Sequence, residues 1–334
     1  MSQSASRLLD LPEPCLLAVL HCCTDDHRSL FSAARAHSRL HQAAVQSLSS
    51  VRAMLHQQQQ MDSVLLYMTN HGQHVSSIDI DGLRGAVLLQ ELPHTKLQGL
   101  SSLNLSRLYL QLQQRHNNLG VLGHGQPDLQ LHLTQLQLHS CKLADEYQLA
   151  AALLQLPKLQ HLSLVWDDDA ALDGSFSSSA LQGLQQLTYL ELTVRMLDPG
   201  LGLESLKDLT SLQDLRLHCQ KTYCVLARVV SDLQQLTHLK VQGEKGYTTS
   251  AVFEASALAG KTQLQHLELV QCTIIPIKVG RSPGSAELLS HLEHVQQLTF
   301  LSLSNSLCTS LGPPITAYSA LTASSKLQHL DLSG

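Results

Sequence analysis

The sequence predicts an α/β solenoid, a curved parallel sheet with a helical or irregular convex side, preceded by a small all-α module. Three observations predict it. A hexapeptide of the form L-x-x-L-x-L recurs through residues 75–334, the segments between its copies carry leucines at helical spacing, and residues 7–50 lack the hexapeptide and read as amphipathic helices.

Taken in order, Leu16, Val19, Leu20 and Cys23 fall at i, i+3, i+4 and i+7, one apolar stripe on a short helix opened by Pro12 and Pro14. Leu30, Ala34, His37, Leu40 and Ala44 mark a second helix. Between them, HCCTDDH at 21–27 crowds thiols, carboxylates and imidazoles together. Cys22 lies about 100° from Cys23 around the helix, so the two thiols do not converge on one ion. Thr24, Asp25 and Asp26 suit the cap of the second helix. The cluster therefore reads as a hinge, with Cys23 a buried substitute for leucine. Two such helices make a very small core that needs a neighbour or a partner. Residues 51–74 bridge to the repeats, with apolar residues at 51, 54, 55, 61, 64, 65 and 68 that read as one or two helices packed on the solenoid end.

The hexapeptide then begins at Val75, Leu100, Leu133, Leu159, Leu187, Leu212, Leu236, Leu264, Leu298 and Leu327, ten copies spaced by 25, 33, 26, 28, 25, 24, 28, 34 and 29 residues. On an extended chain its last two leucines share one side. One strand cannot bury them, but parallel stacking of copies makes a continuous core. At about 1.5 to 3 kcal/mol per buried leucine, a repeat offsets the ordering of its backbone only when stacked. Return segments such as ALQGLQQL (Leu181, Leu184, Leu187) and ESLKDLTSL (Leu206, Leu209, Leu212) predict a short helix or helical turn after each strand. The final copy stops at Asp331-Leu332-Ser333-Gly334, before any return segment, so the carboxy-terminal end of the solenoid is expected to be incomplete or covered by a partner.

Residues 75–334 resemble the leucine-rich-repeat family on these ten copies. That family often places Asn or Cys three residues past the last strand leucine, to hydrogen-bond the turn backbone. Cys141 and Cys272 hold that place, while Cys219 and Asn305 come one residue early.

The stretch LPEPCLLAVLHCCTDDHRSLF resembles the F-box, whose pattern is L-P-x-x-L-L-x-x-I-L-x-x-L. Leu11 and Pro12 match the opening pair, Leu16 and Leu17 the central leucines, Val19 and Leu20 the next apolar pair, and Cys23 stands for a leucine. The usual aspartate before the second helix is His27, Arg28 stands where leucine is common, and Ser38 replaces a tryptophan. The resemblance implies that Leu11, Pro12, Leu16, Leu17, Val19, Leu20, Cys23 and Leu30 dock the chain onto the adaptor subunit, and so the cullin complex, of an SCF-type ubiquitin ligase. The alternative is a helical cap shielding the first repeat of a cytoskeletal or ciliary scaffold.

Composition narrows the classes. Net charge is −5, and 22 Lys plus Arg are scattered without a basic run, which gives no footprint for nucleic acid. The apolar run LLAVLHCC is too short to span a bilayer and follows acidic LLDLPEP, unlike a signal peptide. Eight cysteines, at 15, 22, 23, 141, 219, 224, 272 and 308, do not resemble a secreted disulfide framework, so a reducing compartment is expected, the cytoplasm or the nucleus.

Enzyme signatures fail one by one. Gly260-Lys261-Thr262 lacks the second glycine of a phosphate loop, because Ala255 stands in its place. The glycines at 120, 123 and 125 lead into Pro127. Trp166-Asp167-Asp168-Asp169 lacks the alternating ligands of a calcium loop and reads as a solvated turn. No catalytic residue, cofactor or metal is expected.

What remains is the concave face. One column reads Gln135, His161, Tyr189, Asp214, His238, His266, Phe300 and His329, and the next Gln137, Ser163, Glu191, Arg216, Lys240, Glu268, Ser302 and Asp331. At about 4.8 Å between strands this arc of about 35 Å suits a target protein, not a small substrate. Its expected contact residues are His161, Tyr189, Glu191, Asp214, Arg216, His238, Lys240, His266, Glu268 and Phe300. The neighbours His238 and His266 lack a third convergent ligand, so amphipathic contact is the preferred role over metal binding.

Overall fold

The computed structural model describes residues 11, 12, 15, 16, 19, 40, 43, 44, 49–82, 87–89, 92, 93, 97–110, 132–143, 149, 152–166, 181, 183–194, 204–219, 227–243, 251–275, 292, 295–308 and 325–333. Its centre is one parallel sheet of eleven strands in sequence order. The strands are β1 (Ser50–Leu55), β2 (Ser77–Gly82), β3 (Ser102–Ser106), β4 (Gln135–His139), β5 (His161–Val165), β6 (Tyr189–Val194), β7 (Asp214–Cys219), β8 (His238–Gln242), β9 (His266–Val270), β10 (Phe300–Ser302) and β11 (His329–Asp331). All ten hexapeptide copies form strands, and the sheet is that of a leucine-rich-repeat solenoid, as the spacing predicts.

Register follows the motif. Leu162, Leu190, Leu215, Leu239, Leu267, Leu301 and Leu330 align across β5 to β11. Along β7, β8 and β9 buried and half-buried residues alternate, because one pleat face meets the core and the other is open. The core is a single cluster, mostly of leucines, running from Leu55 to Leu303.

The eleventh strand corrects the helical reading of 51–74 for residues 51–55 only, since a helix packed on the core does occupy Gln58–His71. Val51, Ala53 and Leu55 lie on the core side of an extended β1 that pairs with β2 from Ser50↔Ser77 to Leu55↔Gly82. The sequence V-R-A-M-L satisfies alternation as well as helical spacing, and β2's unpaired backbone edge decides between them. The sheet therefore starts at Ser50, ahead of the expected boundary at 75. Helix α1 (Gln58–His71) follows, with Met61 and Met68 buried. Its glutamines have structural roles. Gln60 Oε1 accepts the backbone N–H of Gln57 at 3.2 Å. Gln58 donates to the carbonyl of Leu88 at 3.0 Å and accepts from its N–H at 2.9 Å, imitating a strand neighbour.

The convex side is tighter than a helix-per-repeat reading suggests. Backbone bonds Leu184→Leu181, Leu187→Leu184, Leu209→Leu206 and Leu212→Leu209, each 3.0 Å, span three residues. Leucines at strict intervals of three fit the three residues per turn of a 3-10 helix, not the mixed three-and-four spacing of an α-helix. Glu204–Asp208 and Ala255–Leu258 are such turns, and helix α2 (Ala227–Asp232) has only six residues.

After each of four strands the chain turns out through a left-handed residue two positions past the last motif leucine: Arg107, Ser140, Gln271 and Asn305, with φ of 51° to 55°. Each costs about 1 to 2 kcal/mol and places its N–H on a carbonyl of the following copy, as Arg107 does on His139 at 2.8 Å. Short parallel ladders run beside these turns, one through Leu88–Leu89, Tyr109–Leu110 and Lys142–Leu143, the other through Val252–Glu254, Thr273–Ile275 and Leu307–Cys308. Cys141 and Cys272 fill the turn place as expected: their thiols donate to the carbonyls of Leu105 at 3.2 Å and Val241 at 3.4 Å. Burial pushes these thiols up to about 11 and about 12, which makes them inert at neutral pH. In the copy where Asn305 comes early, Ser306 takes the place, donating to Leu269 at 2.8 Å and accepting the Cys272 N–H at 3.1 Å.

Of the amino-terminal module, Leu16 is 1 % exposed and Leu40, Ala43 and Ala44 are buried, while Val19 is 41 % exposed. Val19 thus stands outside the expected buried stripe. Leu17, Leu20, Cys23 and Leu30, with the rest of HCCTDDH, lie outside the described residues.

Candidate functional site: the open face of the sheet

The candidate site is assembled by register alone. Parallel pairing brings the first residue of each motif strand beside its counterpart, so His161, Tyr189, Asp214, His238, His266, Phe300 and His329 form one row across β5 to β11. The rings in this row stack. His161 lies on Tyr189 with centroids 3.9 Å apart and planes 4° from parallel. His238 meets His266 at 5.5 Å, His266 meets Phe300 at 4.0 Å, and Phe300 meets His329 at 4.3 Å. Phe300 is covered by a ring on both faces, so only ring edges remain toward solvent. Asp214 interrupts the stack, and Arg216 spans the gap: its guanidinium sits 5.1 Å from the Tyr189 ring centre and is bidentate on Asp214 at 3.0 and 3.2 Å.

The second row supplies compensating charge. Lys240 pairs with Glu268 at 3.0 Å, and His266 Nε2 lies 3.7 Å from the same carboxylate. Glu191 is the centre of the face. It accepts from Ser163 at 2.8 Å, from Tyr189 at 3.1 Å and from His218 at 3.1 Å. The His218 bond, aided by Ser163 and Tyr189, holds the carboxyl at about 2 against the burial that would raise it. Burial and the Glu191 charge push the Tyr189 phenol up, so it stays a donor. Burial also lowers His161 and His266, partly opposed by nearby carboxylates.

His139, Ser163 and Glu191 superficially suggest a nucleophile, because His139 Nε2 is 3.0 Å from the Ser163 hydroxyl. Ser163 is 1 % exposed and its proton is committed to Glu191, so the cluster ties β4, β5 and β6 together.

The ten contact residues expected from the sequence all lie on this face. Two further members escaped that reading, His139 and His218, which stand in a third row past the motif leucines; Ser163 and His329, already placed in the two columns, join them as a hydrogen-bond partner and as the ring that closes the stack. Also unread was a strict alternation in the second motif position, Thr134, Gln160, Thr188, Gln213, Thr237, Gln265, Thr299, Gln328. Each of these threonine hydroxyls donates to the carbonyl of the preceding strand's second position, at 3.0 or 3.1 Å.

Among the described residues no group of three or more His, Cys, Asp or Glu is placed to hold a metal ion, and no helix is long and apolar enough to cross a membrane. No family model matches the sequence, and no curated protein matches it. Solved structures do match in fold. An internalin (inlF) from Listeria monocytogenes is similar over 91 % of this chain and 87 % of its own, at 17 % identity and a TM-score of 0.50. A leucine-rich-repeat protein, LIC12759, from Leptospira interrogans is similar over 89 % of this chain and 80 % of its own, at 15 % identity and a TM-score of 0.48. The likeness is one of architecture: this chain has the leucine-rich-repeat fold.

Proposed function

We propose that this chain is the substrate-receptor subunit of an SCF-type ubiquitin ligase, with the amino-terminal helices engaging the adaptor and the open face of the sheet presenting a target protein. The observation that carries the recognition half is the stacked ring row: a rigid, half-exposed aromatic surface on a regular sheet, with no committed nucleophile or metal group beside it among the described residues. Support for the adaptor half is the L-P-x-x-L-L resemblance, together with the exposure of Val19 beside a buried Leu16. Such a subunit works by proximity, holding the target in orientation for ubiquitin transfer without catalytic groups of its own.

The burial of Leu16, Leu40, Ala43 and Ala44 favours a second reading, a solenoid cap on a cytoskeletal or ciliary scaffold. A charge at Leu16 would unfold the module under either reading, so the discriminating variant is Val19→Asp. Affinity purification of the tagged wild-type chain is expected to recover adaptor and cullin subunits, and Val19→Asp to lose them with an unchanged circular dichroism spectrum. Recovery of cytoskeletal or axonemal proteins in their place, insensitive to Val19→Asp, would establish the cap reading.

A further inference from the structure

Every carboxylate on the described open face has a partner on that same face. Asp79 accepts from Arg52 and Asn104, each at 2.9 Å, and Asp81 is paired with Arg107. Glu191 accepts from three side chains, Asp214 holds Arg216, Glu268 holds Lys240, and Asp331 accepts from Ser302 at 3.3 Å and the Ser333 N–H at 2.9 Å. The face's cations are spent in the same pairs. A surface whose charges are already closed on one another offers an incoming ion little beyond what water gives it, and binding a charged side chain there would open an existing pair. Between the pairs stand rings whose faces are taken by other rings, leaving C–H and N–H edges that complement carbonyl oxygens and apolar or aromatic side chains.

We propose that the open face takes an uncharged polypeptide segment, rich in amide, aromatic and aliphatic side chains, laid along the ring row of His238, His266, Phe300 and His329. This rests on the reading of that face as the recognition surface and adds the chemistry of what it recognises. Acidification works against such a partner. The groups facing the row are Asp214, Glu268 and Asp331, with Arg216 and Lys240, and all are engaged as described. Protonating His266, which stacks between His238 and Phe300 and whose charged form burial already disfavours, therefore adds positive charge to a surface that must be desolvated on binding.

The test uses the full chain and three fluorescent peptides of equal length, one built from Gln, Tyr and Leu, one with Glu replacing the Gln, one with Lys replacing it. The neutral peptide is expected to bind at least tenfold more tightly than either charged one, with less than about a twofold change between about 50 and about 500 mM salt. Its affinity should fall as pH drops through the imidazole range. The variant His266→Phe keeps the ring but cannot titrate, and it is expected to keep neutral-pH binding and lose part of that pH response. Phe300→Ala, checked for folding by circular dichroism, should weaken the neutral peptide at least tenfold. Tighter, salt-sensitive binding of the Glu or Lys peptide that Phe300→Ala still abolishes overturns the neutral chemistry and leaves the recognition surface standing. Binding by none, or binding indifferent to Phe300→Ala, overturns both.

Discussion

Strands β2 and β3 and strands β8 to β10 share one backbone plan and carry opposite surfaces. The first pair shows Ser77, Asp79, Asp81, Ser102 and Asn104, short polar side chains answered by arginines reaching in from β1 and from a turn. The second group shows His238, His266 and Phe300 stacked edge-out over an ion pair. Beneath both, the leucines and isoleucines of the core are equally buried. The difference teaches that the solenoid separates stability from recognition: core residues repeat, while open-face residues vary without cost to the register.

Four substitutions bear on that separation. The largest effect should come from the core, and it should be the same at both ends. Leu105→Ala in β3 and Leu267→Ala in β9, both fully buried, should each cost about 2 to 5 kcal/mol in chemical denaturation. A much smaller loss at Leu105 would mean that the polar end is held by its ion pairs and not by its core. Next comes Lys261, which is 0 % exposed at a position that continues the leucine spacing of its turn, between Leu258 and Leu264. Its ammonium donates to the Ser231 carbonyl at 2.6 Å, and burial lowers it to about 8 against the opposing pull of Asp232. Lys261→Met should raise stability by about 1 to 3 kcal/mol at neutral pH. Because the folded group holds its proton less tightly than the unfolded one, the wild type should gain stability as pH rises from about 8 toward 10, and the variant should lose that gain. The smallest effect belongs to Arg52, 77 % exposed on Asp79: Arg52→Ala should cost less than about 1 kcal/mol and less still in high salt.

The motif made the sheet legible, since a period-two strand stacked in parallel leaves no freedom in which residues face out. For that reason the rows on the open face, and the adjacency of His238 to His266, could be read directly. Ring stacking could not, because a row gives neighbours but not torsions. Strand β1 was missed because V-R-A-M-L fits two periods and only the waiting edge of β2 selects one. Lys261 was missed because the apolar position it occupies is defined by the turn around it, and a Gly-Lys-Thr tripeptide drew attention to phosphate chemistry. The third-row histidines lay past the motif leucines, where the hexapeptide gives no instruction.

The alternation of threonine and glutamine at the second motif position has a genetic corollary. The smallest unit that can be copied or cut out without disturbing the pattern is a pair of repeats. Removing one repeat would set two threonine copies or two glutamine copies side by side, whereas removing two adjacent repeats would keep the alternation. A shortened or lengthened version of this chain is best designed in even steps.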